Sequence, residues 1–211
     1  MDSKADPRYV VFDCETTGLD PSKDGILTIG AVAVRGGEIC LDDEFDAILS
    51  DWRMTSAVLV HGITQAEAAR GETEAQAVNK FLDYVGDAVL VGHHVGFDQK
   101  IVAHAARRLG RDLPNPALDT MRIALALEER GAFEGREIRG FDLDNLGALF
   151  DVEPHDRHTA SGDAFITAQI FTPILNIIHT RALFCAWAGL AWPGLASLSC
   201  AGARFDSPTS D

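Results

Sequence analysis

Residues 9–18 read Tyr-Val-Val-Phe-Asp-Cys-Glu-Thr-Thr-Gly, and this stretch constrains the chain more than any other. Tyr9 to Phe12 is β-branched and aromatic, the composition of a buried strand. Asp13 and Glu15 follow it two residues apart, and side chains at i and i+2 of a strand leave the same face. Two carboxylates therefore project side by side from the end of an apolar strand, while Cys14 and Thr16 point the other way. Adjacent like charges in partly desolvated surroundings are costly unless a positive group neutralises them. A hard divalent cation with oxygen ligands, Mg²⁺ or Mn²⁺, answers that need. Taken alone, the pair reads equally well as an ordinary strand-end Asp with a capping Glu.

The rest of the chain reads as an α/β domain. Gly18 to Gly25 carries the turn signals Asp20-Pro21 and Asp24-Gly25. Ile26 to Val34 is a second apolar strand, and Arg35-Gly36-Gly37 turns it into Glu38 to Ile48, so the fold opens on an antiparallel meander. A short helix is expected over Ser56 to Val60, and Thr64-x-x-Glu67 is a capping box for another. Thr73 to Val85 places Ala77, Val78, Phe81, Leu82 and Val85 at helical spacing. Ala88 to Val91 is a short buried strand, and Asp98 to Leu109 a helix. Leu118 to Thr120 is a strand running into a helix over Met121 to Glu129. Residues 130–141 are loop-like, and a short helix follows from Asp142 to Phe150. A last helix starts near Ala160 and runs through Ile170, with Pro173 expected to kink or end it. Strands first, then alternating helices and strands, is the pattern of a mixed sheet.

Further carboxylates recur at element boundaries. Asp98 follows Val89–Val91 and opens a helix, a place the helix dipole favours for an acid in any case. His158 and Asp163 lie five residues apart, too far round to share a helix face. They converge only if His158 sits in the loop before a helix and Asp163 in its first turn. Each position alone is unremarkable, His158 reading most simply as a solvated loop histidine beside Asp156 and Arg157.

The ordered series resembles the DEDDh (DnaQ-like) 3′–5′ exonucleases, the family of the proofreading epsilon subunit of bacterial replicative DNA polymerase. Asp13-Cys-Glu-Thr-Thr-Gly18-Leu19 is similar to the first exonuclease motif, Val91-Gly-His-His-Val-Gly-Phe97-Asp98 to the second, and His158-x-Ala160-x-x-Asp163-Ala164 to the third. Val60-His61-Gly62-Ile63-Thr64 and Leu118-Asp119-Thr120 match further segments. The second motif usually carries Asn where His94 stands here. The resemblance covers about residues 8–171 and implies an RNase H-like fold, a five-stranded mixed sheet with helices on both faces.

The resemblance also implies a site. Asp13, Glu15, Asp98 and Asp163 would hold two divalent cations, Mg²⁺ or Mn²⁺, with Asp13 bridging them, Glu15 and Asp163 completing one and Asp98 supporting the other. His158 would be the general base towards the attacking water, a task that suits an imidazole titrating near neutrality. Thr16, Thr17, Gly18, Leu19, His61 and Ile63 would contact the 3′ nucleotide. The substrate would be the 3′ end of single-stranded or frayed DNA, with RNA as the alternative, and the products nucleoside 5′-monophosphates. A DNA polymerase subunit is the implied partner; a binding subunit with little activity of its own is the rival reading.

Charge and composition set limits on that reading. The formal net charge of −14 repels phosphate at long range, so nucleic acid must be met by bound metal, a local basic patch or a partner. Arg107, Arg108, Arg111, Arg136 and Arg139 are the basic clusters, the first three read best as solvated surface charge. Phe97 reads as either substrate-facing or core, with core the favoured reading. Four cysteines without C-x-x-C spacing suit free thiols in a cytoplasmic protein. The expected organisation is a disordered lead-in over 1–8, an exonuclease domain over 9–172 and an apolar tail over 173–211. Ala182 to Ala203 has no charged residue, but its few strongly apolar side chains and Pro193 weigh against a membrane span. A docking segment anchored by Trp187 and Trp192 is the expectation for it.

Overall fold

The computed structural model describes residues 7–50 and 70–187. Five strands, β1 (Tyr9–Thr16), β2 (Ile26–Arg35), β3 (Glu38–Ile48), β4 (Val89–Gly92) and β5 (Ala117–Asp119), form one sheet in the order β3-β2-β1-β4-β5. The three N-terminal strands pair antiparallel, as their short connections require, and β4 and β5 join parallel. The helices are α1 (Glu74–Val85), α2 (Gly96–Arg108), α3 (Thr120–Glu128), α4 (Leu143–Leu149) and α5 (Ala160–Trp187). The short helices expected over residues 56–67, His61, Ile63 and the tail beyond Trp187 lie outside the described residues.

Alternation along β1 sorts the core. Val10, Phe12 and Cys14 face α1 and α2, packing with Phe81, Ile101 and Val102. Val11 faces the other way, with Val32, Val34 and Val91, against Ala168, Phe171 and Leu175 of α5. Asp13 and Glu15 continue that second face to the start of α5. A satellite core joins α3, α4 and α5 through Ile123, Leu146 and Ile170. Helices thus cover both faces of a mixed sheet. The strand does not end at Phe12: pairing with β2 continues through Glu15↔Thr28 to an irregularity before Thr16, so both carboxylates ride on a strand that is still held in register.

The helix does not end at Pro173 but runs on to Trp187. A proline in a helix leaves the carbonyl four residues earlier without its N–H partner. Here that carbonyl belongs to Gln169, and the Thr172 hydroxyl donates to it at 3.3 Å. Ile174, Leu175 and Ile178 remain buried beyond the proline, so burial outweighs the lost backbone bond. The boundary expected at residue 172 therefore falls inside a helix whose core contacts extend to Ile178.

Candidate active site

The carboxylates converge where β1 meets the start of α5. Asp13, Glu15 and Asp163 each present an oxygen within 4.8 Å of the others. Asp98, buried in the first turn of α2, comes from the opposite side of the sheet: its Oδ1 accepts the Cys14 backbone N–H at 3.2 Å, between the two β1 acids. His158 lies in the loop before α5 with φ +63°, a left-handed turn that folds its backbone over the helix start. Its N–H donates to Asp163 Oδ1 at 3.3 Å, and its side chain is exposed at the rim.

Close approach of α5 depends on Gly30, the β2 partner of Asp13. A Cβ there would lie 2.2 Å from Ser161 N and 2.4 Å from Ala160 C, both backbone. The Ser161 hydroxyl also donates to Asp46 of β3 at 2.7 Å, fixing the helix start against the sheet. Gly30 was readable only as part of an apolar strand, although a glycine inside a strand is a known sign of close backbone approach.

Desolvation and mutual repulsion dominate the electrostatics. Burial, then Asp98, Asp163 and Glu15, push the Asp13 carboxyl well above the ordinary carboxylate range. Burial and Asp163 raise Glu15 to about 7. Burial raises Asp98 to about 7, against the hydrogen bonds it accepts. Among the described residues, the cation gripping the cluster is Arg157, which donates through Nη1 to both Asp163 oxygens, at 2.6 and 2.5 Å, and through Nε to Asp144 Oδ1 at 2.6 Å. Arg157 reads in the sequence as a bystander of His158, and no spacing rule singles it out.

The substrate-contact candidates begin where β1 ends. Thr16 Oγ1 donates to the Gly18 carbonyl at 2.8 Å, and Thr17 Oγ1 donates to Asp24 Oδ1 at 3.0 Å while accepting the Gly25 N–H. Asp24 also accepts the Asp20 N–H, and its carboxylate fills the space a Cβ on Gly18 would need. This pinned loop presents Leu19 at 89% exposure, an apolar side chain that the core does not use. Across the sheet end, His93 Nδ1 lies 3.1 Å from Thr120 Oγ1, and burial followed by the His94 ring lowers its pKa to about 4, so it is neutral. His94 takes φ +58° and is exposed, its N–H donating to Asp119. Phe97 is half-buried in the first turn of α2 and joins none of the core clusters, contrary to its expected place in the core. Arg108 and Arg111 are committed to Glu74 and Asp83, Arg139 to Glu137, and Arg136 lies near Asp151.

The family model described as "Exonuclease" (RNase T) matches residues 10–171. The chain belongs to this exonuclease family. DNA polymerase III subunit epsilon of Aquifex aeolicus is 31% identical over 178 residues, covering 83% of this chain and 84% of that one. A DNA polymerase III subunit epsilon-like protein of Rhodobacter capsulatus is 35% identical over 83% of this chain, and DNA polymerase III PolC-type of Thermotoga maritima 32% identical over 82%. The chain spans only 25% and 12% of those two relatives. Among solved structures, E. coli Exonuclease I in complex with a dT13 oligonucleotide superposes with a TM-score of 0.70 at 22% identity, over 84% of this chain and 42% of that one. That likeness fixes the fold as the RNase H-like fold of these exonucleases. Among the described residues, no helix is long and apolar enough to cross a membrane.

Proposed function

We propose that the chain is a DEDDh 3′–5′ exonuclease that removes the terminal nucleotide of single-stranded or frayed DNA as the 5′-monophosphate, in proofreading or repair. The observation that carries this reading is the convergence of Asp13, Glu15 and Asp163 within 4.8 Å, with Asp98 bonded between the two β1 acids. An all-oxygen donor set with an excess of negative charge suits a hard divalent cation. Asp13, Glu15 and Asp163 would hold one such ion and Asp98, with Asp13, a second. Bound there, Mg²⁺ or Mn²⁺ supplies positive charge at the reacting phosphate, which an acidic chain otherwise repels.

The chain's own residues do the rest. The Thr16–Leu19 loop seats the 3′ nucleotide, its backbone held by Asp24 and its Leu19 side chain set against the terminal base. His158, exposed at the rim, takes a proton from the attacking water. The new bond joins the water oxygen to phosphorus, the P–O3′ bond breaks, and the 3′ oxygen leaves with a proton from solvent. A polymerase subunit is the partner that the relatives' names suggest, residues beyond α5 the segment that would dock on it, and the cytoplasm the compartment.

Matched 5′-labelled DNA and RNA strands, incubated with Mg²⁺, Mn²⁺ or EDTA, test the reading. The expected result is a ladder that shortens from the 3′ end of DNA and vanishes with EDTA. For His158→Ala, kcat should fall by about 10²–10⁴ with KM little changed. No cleavage of either strand, or full activity in Asp13→Ala, would overturn it.

A further inference from the structure

Arg157 has a place in the site that the reaction does not require. Its Nη1 donates to both oxygens of Asp163, one of the three clustered acids, and its Nε holds Asp144, which stands at the start of α4 outside the cluster. The side chain is 20% exposed, Asp163 12% and Asp144 62%. One arginine therefore bridges an inner and an outer carboxylate. The inner pair is the shielded one, and the outer is open to water. A guanidinium and a divalent cation compete for one carboxylate: both are cations, they repel each other at close range, and Arg157 Nη1 already engages both Asp163 oxygens.

Resting on the proposed metal-binding role of Asp13, Glu15 and Asp163, we infer that Arg157 is a built-in counter-ion that competes with the divalent cation for Asp163. On metal binding Arg157 releases Asp163 and stays with Asp144, which serves as its anchor. Two features of the pair fit an exchange. Asp144 already holds Arg157 through Nε, so a guanidinium that turns as a whole away from Asp163 keeps a carboxylate partner within reach. The Arg157 loop is turned by left-handed residues at Asp156 and His158, on either side of it, so a backbone adjustment at Arg157 also moves the proposed base.

The test is Mn²⁺ binding by calorimetry to the full chain freed of metal with EDTA, at pH 7.5 and without nucleic acid. Arg157→Gln should bind Mn²⁺ about tenfold more tightly, because the competing charge-assisted bonds are gone. Arg157→Lys, which keeps the charge but not the fork, should fall between. Asp144→Asn should weaken Mn²⁺ binding in the parent chain, where Arg157 loses its second anchor, and leave it unchanged in Arg157→Gln. Thermal unfolding without metal gives a second readout: Arg157→Gln should melt lower than the parent at pH 8, and saturating Mn²⁺ should close the gap. Arg157→Gln binding Mn²⁺ no more tightly than the parent would overturn the exchange. So would an equal effect of Asp144→Asn in both backgrounds, which is what a distant field effect produces. Mn²⁺ binding that Asp13→Asn leaves intact, or no binding at all, would instead remove the metal-site reading beneath it.

Discussion

Two arginine–aspartate pairs sit near opposite ends of β1, and they differ in what surrounds them. At the start of the strand, Arg8 grips Asp43 with two bonds, at 2.7 and 3.0 Å, donates to the Tyr84 and Val85 carbonyls and covers the Tyr84 ring. Arg35 also reaches Asp43 at 3.0 Å. That carboxylate is over-supplied with donors, and the Arg8 hydrogen bond leads in holding its pKa below the ordinary range. At the far end, one arginine meets Asp163 and Asp144 with Asp13, Glu15 and Asp98 close by, and the pKa values of those last three rise. A satisfied pair ties β1, β3 and α1 together. An unsatisfied cluster stores repulsion, and such clusters mark places where a fold is shaped for a ligand.

The sharpest way to break that contrast is to neutralise one acid at each end. Asp13→Asn should cut hydrolysis by about 10³-fold or more while raising the melting temperature of the metal-free chain, because it removes repulsion. Asp43→Asn should do the reverse, costing about 2 kcal/mol in stability through the charged hydrogen bonds to Arg8 and leaving kcat near the parent value. Denaturant unfolding and hydrolysis rates on the same preparations decide it. Opposite signs in the two assays support the contrast; parallel losses would refute it.

Gly30→Ala probes how the cluster is assembled. The added methyl meets the backbone of Ser161, which cannot give as a side-chain tip can, so the start of α5 must move away from β2 and take Asp163 with it. A displacement near 1 Å in a reacting site costs about 10²-fold in rate. The stability loss should be about 1–3 kcal/mol. A variant that keeps full activity would show that Asp163 does not need this close approach.

These cases also separate what the chain discloses from what it hides. The meander and most of the helices are legible because each rests on short-range pattern: alternation along β1, helical spacing over Ala77 to Val85, turn residues between strands; the four acids stand out only through the ordered motifs of the family resemblance. His158 and Asp163 are named as a pair by the family resemblance, and the structure has the loop-then-helix arrangement that lets them meet, through the His158 backbone N–H. Arg157 is not legible, since its importance lies in contacts to Asp144 and Asp163 that arise only when α4 and α5 pack. As a stop signal, Pro173 misleads for a related reason. The local rule is sound, but the Thr172 hydroxyl and the buried Ile174, Leu175 and Ile178 outweigh it, and these act through tertiary contacts.

The pH dependence of stability sharpens the contrast further. Glu15 and Asp98 have folded pKa values of about 7, above those of an unfolded chain. Between the two values the folded state binds more protons, so stability is full at low pH and is lost as pH rises through about 7. Asp43 works with the opposite sign: its folded pKa is lowered, so its contribution is present at neutral pH and fades in acid. The metal-free chain should therefore lose roughly 3–6 °C of melting temperature between pH 5 and pH 8. Saturating Mn²⁺ should reverse that limb, and Glu15→Gln should flatten it. A rising limb in the metal-free chain would mean the acids are already neutralised within the fold.

The smallest effect tests whether α5 is divided as β1 is, one end for chemistry and the other for packing. Thr172→Val removes the hydroxyl that serves the Gln169 carbonyl and keeps the side-chain shape. Thr172 is half-buried, so water replaces that partner only in part, and the loss should be about 1 kcal/mol. Nine residues separate it from Asp163, two and a half turns along a packed helix, so kcat and Mn²⁺ affinity should be unchanged. A drop in stability alone would place Thr172 with Asp43, as a residue that holds the scaffold. A drop in activity of similar weight would mean that the bond beside Pro173 sets the position of the whole helix, and that chemistry and packing on α5 are not separable.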